Sequence, residues 1–424
     1  MYDLIIIGAG SAGITAADFA VQLGAKVAMV EKAKIGGDCT WKGCVPSKTL
    51  LHIAKQVQTA RQSQTYGVQT NACCVDMVKV KDKINAVIQE IYQHETNDVY
   101  LDKGVDVIVG EAKFVGPHQI RVDDKTLESK AFLISTGASP FVPEIPGLRN
   151  TGFLTYEQIF ENETLPDRFL ILGAGPVGVE IGQAYARLGS KVTMIDGLAP
   201  LEKIDLQASR AIKNQLLAEG VTFVQGFATA VSQSKNGEFT IHINKQQFQG
   251  DMLLVATGRK PVVKGLDLDA AGVSHTQQGI QVNDKLQTSV PHIYAAGDCT
   301  GGFQATHYAG WQGFQAARNA LLLGADKGVL RDIPVTVFSE PEVAQVGLSE
   351  QKAREKYGDK LIVSQRDLDR VDRAVTDSSI NGFIKVLHLE NGRILGATIV
   401  AERAGEMINE FALSIKNKLS IQDV

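Results

Sequence analysis

One pattern, carried twice, constrains the fold more than anything else in this chain. Residues 4–7 are a short apolar run, followed by the turn Gly8-Ala9-Gly10-Ser11-Ala12-Gly13. Apolar residues at helical spacing come next (Ile14, Ala17, Phe19, Ala20, Leu23), then Gly24, a second apolar run over 26–30 and Glu31. The order recurs as 169–172, Gly173-Ala174-Gly175-Pro176-Val177-Gly178, a helical stretch to Leu188, Gly189, 191–195 and Asp196. In both copies 23 residues separate the first glycine from the acid, and the copies lie 165 residues apart. Physically each copy is a strand–turn–helix–strand unit. Its glycines allow a tight turn, its helix start offers backbone N–H groups to a pyrophosphate, and its acid accepts from a ribose hydroxyl. One G-x-G-x-x-G alone is weak, but the pair implies two dinucleotide-binding domains built alike, in an α/β chain of parallel strands with helices on both faces.

The second informative stretch is Gly36-Gly37-Asp38-Cys39-Thr40-Trp41-Lys42-Gly43-Cys44-Val45-Pro46-Ser47-Lys48. Cysteines this close can bond, and Pro46 suits the first turn of a helix that 49–55 continue. Cys44 then meets the positive end of a helix dipole with Lys48 one turn on, and both favour a thiolate. Three readings stand at this point: a redox pair, a short structural disulfide that would add little to so large a core, and half of a zinc site whose second half is not in the sequence.

A chain of 424 residues needs two or three cores. A net charge of −4 without basic blocks excludes an electrostatic footprint for nucleic acid or an anionic membrane. No apolar run reaches membrane-spanning length, and no leader pattern precedes residue 4. The five cysteines (Cys39, Cys44, Cys73, Cys74, Cys299) form no secreted-type framework, so a reducing cytoplasm is the expected setting.

Each repeat has a tail of alternating short strands, 104–134 and 220–255, ending at Thr136-Gly137 and at Thr257-Gly258-Arg259. Residues 139–147, rich in proline, read as a linker, and 73–100 as mostly helical. Residues 291–302 read as a strand ending in Gly297-Asp298, where a carboxylate can hold a cofactor or, alternatively, cap the helix expected over 305–323. New β patterning begins at 334, with strands over 384–387 and 394–400 and an amphipathic helix over 404–418.

With these pieces in place the chain resembles the class I pyridine nucleotide–disulfide oxidoreductases, whose members include dihydrolipoamide dehydrogenase, glutathione reductase and mercuric reductase. The C-x4-C-x2-S-K block between two dinucleotide units carries the resemblance, which runs from residue 2 to the C-terminus. It implies two Rossmann-like three-layer domains, for FAD and NAD(P), plus an α+β dimerisation domain. The implied boundaries are 1–147 and 264–330 for FAD, 148–263 for NAD(P), and 331–424 for an interface domain that is incomplete at its C-terminus. FAD is then expected at Gly8, Gly10, Ser11, Ala12, Gly13, Glu31, Lys32, Gly37, Lys48, Ala112, Thr136, Gly137, Asp298, Ala305 and Thr306. The nicotinamide dinucleotide is expected at Gly173, Gly175, Val177, Gly178, Glu180, Asp196, Gly258 and Arg259.

The same resemblance makes Cys44 the thiolate nearest the flavin and Cys39 the thiol that attacks an external disulfide. Lys48 becomes the lysine at the flavin edge, and Glu180 its ion-pair partner. Asp38 departs from the family's usual threonine, and Trp41-Lys42 is an uncommon insert between the cysteines. The sequence looks most like the mercuric-reductase branch, yet lacks the C-terminal cysteine pair of true mercuric reductases; a metal relay at Cys73-Cys74 is the weaker reading beside ordinary core cysteines, and Cys299 reads as core. No metal site is expected. The family's terminal His-Pro segment is not found before Val424, none of the eight histidines has that context, and His307 reads as structural. On this ground the chain is expected to be truncated, with slow disulfide turnover and a weakened homodimer. The implied activity is an FAD-dependent NAD(P)H:disulfide, or thiol-bound metal ion, oxidoreductase. Dihydrolipoamide dehydrogenase is the alternative, and a flavoprotein electron relay with an idle cysteine pair the third reading. Asp196 followed by neutral 197–199 predicts NADH over NADPH.

Overall fold

The computed structural model describes residues 1–69, 74–322 and 327–424. They form two compact units, one of Met1–Pro46, Asp82–Phe141 and Gly258–Leu330, the other of Ser47–Lys81, Val142–Thr257 and Arg331–Val424.

The first unit is built on a seven-stranded sheet. Strand Tyr2–Ile7 lies between Val27–Glu31 and Lys125–Ile134, all parallel, with Leu4 opposite Val27 and Ile7 opposite Ile134. Strand Val105–Val109 extends one edge beside Val27–Glu31, and Ile293–Ala295 joins Lys125–Ile134. The 4–7 run is continuous rather than alternating because both faces of the strand are covered. Leu4, Ile6, Met29 and Leu133 pack with Ala12, Ala16, Ala17, Ala309, Ala316 and Ala317 from the helices Ser11–Gln22 and Thr306–Leu321. Ile5, Ile7, Val30 and Phe132 face the opposite cluster around Phe114 and Ile120. The two helices touch backbone to backbone: a methyl group on Gly313 would sit 2.0 Å from the Ala12 carbonyl oxygen. The expected linker is partly structured, since Ala138–Pro140 pairs antiparallel with Arg259–Pro261. A two-stranded ribbon tolerates both prolines because each strand has an unpaired edge.

The second unit repeats the parallel arrangement in four strands, Thr222–Gln225, Lys191–Asp196, Arg168–Leu172 and Met252–Val255, in that order. It also holds a three-stranded antiparallel sheet over 230–250. A five-stranded antiparallel sheet follows, its strands Val335–Val337, Glu342–Gly347, Ile394–Ala401, Phe383–Leu389 and Leu361–Asp367 lying in that order. The helix Ala404–Asn417 packs on it through Ile408 and Phe411.

Candidate active site

Both glycine turns have the same local construction. In the first, Gly8 has φ +102°, and a Cβ there would lie 2.5 Å from the Ser135 carbonyl oxygen. A Cβ on Gly13 would lie 2.0 Å from the Gly8 oxygen, so the helix can start this close to the strand only with glycine. Gly10 is the N-cap of Ser11–Gln22 and carries no side-chain cap, leaving the first-turn N–H groups of Ser11, Ala12 and Gly13 facing outward. Glu31 anchors the turn from the neighbouring strand end, accepting from Ala9 N at 2.8 Å and Ala33 N at 2.9 Å, with Lys32 exposed beside it. Thr136 donates to the Val262 carbonyl at 2.8 Å, Gly137 has φ +70°, and Ala112 is buried on its strand. This donor set suits a flavin dinucleotide: a cradle that a Cβ would fill, an uncapped helix start and an acid at the strand end.

The second turn copies the first. Gly173 has φ +108°, and its Cβ would lie 2.3 Å from the Ala256 oxygen; that of Gly178 would lie 2.0 Å from the Gly173 oxygen. Gly175 caps Pro176–Leu188 without a side-chain bond and has open space before it, with Pro176 and Val177 in the first turn. Asp196 accepts from Ala174 N at 2.7 Å and Leu198 N at 3.0 Å, as Glu31 does from its own pair.

The cysteines occupy two helical segments. Cys39 is inside the short helix Gly37–Trp41, and Cys44 is the first residue of Cys44–Gln62. Gly43 permits the tight reversal, since its Cβ would lie 2.8 Å from the Asp38 oxygen. Gly37, at φ +58°, brings the segment against the first cradle, where its Cβ would meet Gly10 Cα at 2.7 Å. Neither cysteine is joined in a disulfide. Cys44 Sγ lies 3.1 Å from Thr306 Oγ1, at the start of the helix whose N-cap is Ala305. The Cys39 thiol is pushed far above its ordinary range, first by its hydrogen bond to Cys44, then by burial, and further by the charge of Glu95. Glu95 also accepts from the buried Thr40 hydroxyl at 2.9 Å. Trp41 pins the same segment: its indole N–H donates to Ile35 O at 2.8 Å, its ring meets Tyr92 edge-on at 4.7 Å, and Lys34 lies 4.1 Å over its face.

Lys48, one turn after Cys44 on the same helix, pairs with Glu180 at 2.8 Å. Glu180 is buried; its other oxygen accepts from Phe338 N at 2.9 Å, and the Phe338 ring lies 4.3 Å from Lys48 Nζ. Phe338 thus holds both partners, a role the sequence signals only by an aromatic residue at the start of the last region.

The Arg259 guanidinium, expected beside the nicotinamide dinucleotide, pairs with Asp38 at 2.6 Å and Asp298 at 2.7 Å, within the first unit. The neighbouring Gly258, at φ +133°, also falls in that unit. Two carboxylates outweigh any single acceptor for a partly buried guanidinium. Asp298 does not cap the following helix, whose N-cap Ala305 has no side-chain bond. Its carboxyl is pushed up by burial, opposed by Arg259. Cys299 is wholly buried, its thiol pushed up to about 12 by burial. His307 is exposed in the first turn of its helix. Cys74 is exposed, and Cys73 lies outside the described residues. Among the described residues no three metal-ligating side chains come together, and no helix is long and apolar enough to cross a membrane.

The family model described as pyridine nucleotide-disulphide oxidoreductase matches residues 2–313, and that of its dimerisation domain matches 333–424. A mercuric reductase of Staphylococcus aureus is 38% identical over 431 aligned residues, covering 100% of this chain and 78% of the relative. A dihydrolipoyl dehydrogenase of Thermus scotoductus is 34% identical over 443, covering 100% of this chain and 93% of the relative. Among solved structures, the HOCl-induced flavoprotein disulfide reductase RclA from Escherichia coli superposes with a TM-score of 0.88 at 30% identity, covering 99% of this chain and 94% of that one.

Proposed function

The chain belongs to the pyridine nucleotide-disulphide oxidoreductases, FAD-dependent enzymes that use pyridine nucleotides, and from that premise we propose which of its residues do the work and on what substrate. The hydrogen-bonded Cys39–Cys44 pair, seated against the first glycine cradle, carries this reading. Residues 1–147 and 264–330 are assigned to FAD, 148–263 to the nicotinamide dinucleotide, and 331–424 to the contact between two copies of the chain.

FAD, when bound, supplies the step that passes two electrons from the nicotinamide to the cysteine pair. The chain does the rest. The Gly10 and Gly175 helix starts bind the two pyrophosphates, and Glu31 and Asp196 take ribose hydroxyls. Glu180 holds the Lys48 ammonium in place, with the Phe338 ring over it. With a substrate disulfide, Cys39 sulfur attacks one substrate sulfur and releases the first thiol. Cys44 sulfur then attacks Cys39 sulfur, releasing the second thiol and forming the Cys39–Cys44 bond. The protons on the two cysteines leave with the two products, so atoms and electrons balance. Because the Cys39 thiol is held high beside Cys44, its attack requires that its proton leave in the same step, toward the departing thiol. Thr306 steadies Cys44 throughout.

We take the substrate to be a small disulfide or a thiol-bound soft metal ion, and NADH to be preferred over NADPH. Similarity to the mercuric reductases supports the metal-ion arm, and the likeness to a dihydrolipoyl dehydrogenase supports a second reading, oxidation of dihydrolipoamide. The test is an anaerobic reductive titration followed by turnover of the three substrate types. Four electrons per flavin are expected, with Cys44→Ser abolishing the long-wavelength band of the half-reduced enzyme and Cys39→Ser showing it without reductant. Uptake of only two electrons would leave the cysteines idle and the chain an electron relay.

A further inference from the structure

The internal repeat runs further than the glycine turns. In the first unit Gly110 N donates to the Glu31 carbonyl at 2.9 Å, and the chain continues Glu111-Ala112. In the second, Gly226 N donates to the Asp196 carbonyl at 2.8 Å, and the chain continues Phe227-Ala228. At the matching position the first unit carries a charged residue and the second an aromatic one.

Phe227 is 77% exposed. Single exposed apolar residues are ordinary on protein surfaces, so exposure alone says little. Placement says more. The ring tip lies against Gly197, where a methyl group would be 2.1 Å from Phe227 Cζ and 2.4 Å from Cε1. Gly197 directly follows Asp196, and strand Thr222–Gln225 sets Gln225 opposite Asp196 in parallel register. The Gln225 amide fixes the notch by donating to the Gly197 carbonyl at 3.3 Å. The ring therefore stands at the carboxyl end of two adjacent parallel strands, where dinucleotides bind in such sheets. A ribose whose 2′-hydroxyl is held by Asp196 carries its base on the adjacent carbon, within reach of a ring two strands' width or less away.

We propose that Phe227, seated in the notch left by Gly197, is the platform on which the coenzyme's adenine stacks, and so the residue that makes this chain select adenine dinucleotides over the bare nicotinamide nucleotide. The inference rests on the second unit binding the nicotinamide coenzyme. Stacking of a base on an aromatic side chain binds substrate and transition state equally, so it acts on KM and leaves kcat unchanged.

The experiment measures NADH, ADP-ribose and reduced nicotinamide mononucleotide on the flavin-loaded enzyme, by calorimetry for ADP-ribose and by stopped-flow flavin reduction for the other two. Phe227→Ala should weaken NADH and ADP-ribose about tenfold, the scale of one base stack, and leave the mononucleotide unchanged. Phe227→Trp should restore affinity. Gly197→Val, which displaces the ring without removing it, should reproduce the alanine result. An unchanged NADH to mononucleotide ratio in Phe227→Ala overturns the platform. Failure of the wild type to take either NADH or NADPH overturns instead the assignment of the second unit, and this inference with it.

Discussion

Arg259→Gln tests the strongest charge contact at the first cradle. Arg259 is 24% exposed and spans two carboxylates, Asp38 at 34% and Asp298 at 12%. Breaking a fully buried pair costs about 3–5 kcal/mol, and an exposed one about 0–1. The Asp298 arm lies nearer the buried limit and the Asp38 arm nearer the exposed one, so a loss of about 2 kcal/mol at neutral pH is expected. In a chain this size, with an unfolding entropy of roughly 0.9 kcal/mol/K, that lowers the midpoint of thermal unfolding by about 2 °C. The pH dependence gives the sign. Burial already raises the Asp298 carboxyl and Arg259 opposes it, so the variant's carboxyl must rise further. A carboxyl raised on folding contributes stability below its unfolded pKa of about 3.9 and loses it as pH climbs through the folded value. The deficit of Arg259→Gln should therefore shrink as pH falls from about 8 to 5, and Asp298→Asn added to it should recover part of the loss at pH 8. Thermal melts of the single and double variants across that range are the assay, with flavin fluorescence recorded in the same samples. A deficit independent of pH, together with no recovery in the double variant, would refute the argument that Arg259 acts by neutralising Asp298.

Three further outcomes are expected. Glu180→Gln should cost about 1 kcal/mol, discounted for the partial exposure of Lys48, and slow flavin reduction by NADH; stability and rate both equal to wild type would leave the pair without a role. In the reduced enzyme Cys39 should resist iodoacetamide up to about pH 9, since its thiol is held above the ordinary range of about 8.5, and Cys44→Ala, by removing the largest cause, should speed labelling at pH 8; mass spectrometry of the labelled peptides decides. Asp196→Asn should reduce an NADH preference of about tenfold, worth ~1.4 kcal/mol, toward parity, and equal kcat/KM for the two coenzymes in the wild type would remove Asp196 from that role.

Much of this was legible because the chemistry is local. Gly13 and Gly178 stand where a Cβ would strike a carbonyl within the same strand–turn–helix unit, and Gly8 and Gly173 begin those units, so spacing alone reveals them. Lys48 with Glu180 was reachable only through the family pattern, since 132 residues separate the partners. Phe338, Glu95 and the Asp38–Arg259 pair were not foreseen. Each acts through a contact with a residue distant in sequence, and none belongs to a periodic pattern. Asp38 came closest, because it stood out as a departure without showing what it bonds. Arg259 was singled out by its place after Thr257-Gly258, but a guanidinium reaches far enough that this place did not show its pairing with Asp38 and Asp298.

The two turns also show how a repeated unit comes to serve different ends. Glu31 and Asp196 make the same pair of backbone contacts, and the glycine clashes match to within a few tenths of an ångström. What differs lies outside the unit proper. Gly37 sets the segment bearing Cys39 directly on Gly10, so the first turn is closed from above by redox chemistry. Gly175, the counterpart of Gly10, has no atom within 4 Å of where its Cβ would be, so the second turn stays open. A bound cofactor that must remain through many turnovers suits the closed cradle, and a coenzyme that arrives and leaves in each cycle suits the open one. The open second turn leaves affinity to be drawn from its rim, where the repeat places the exposed ring of Phe227.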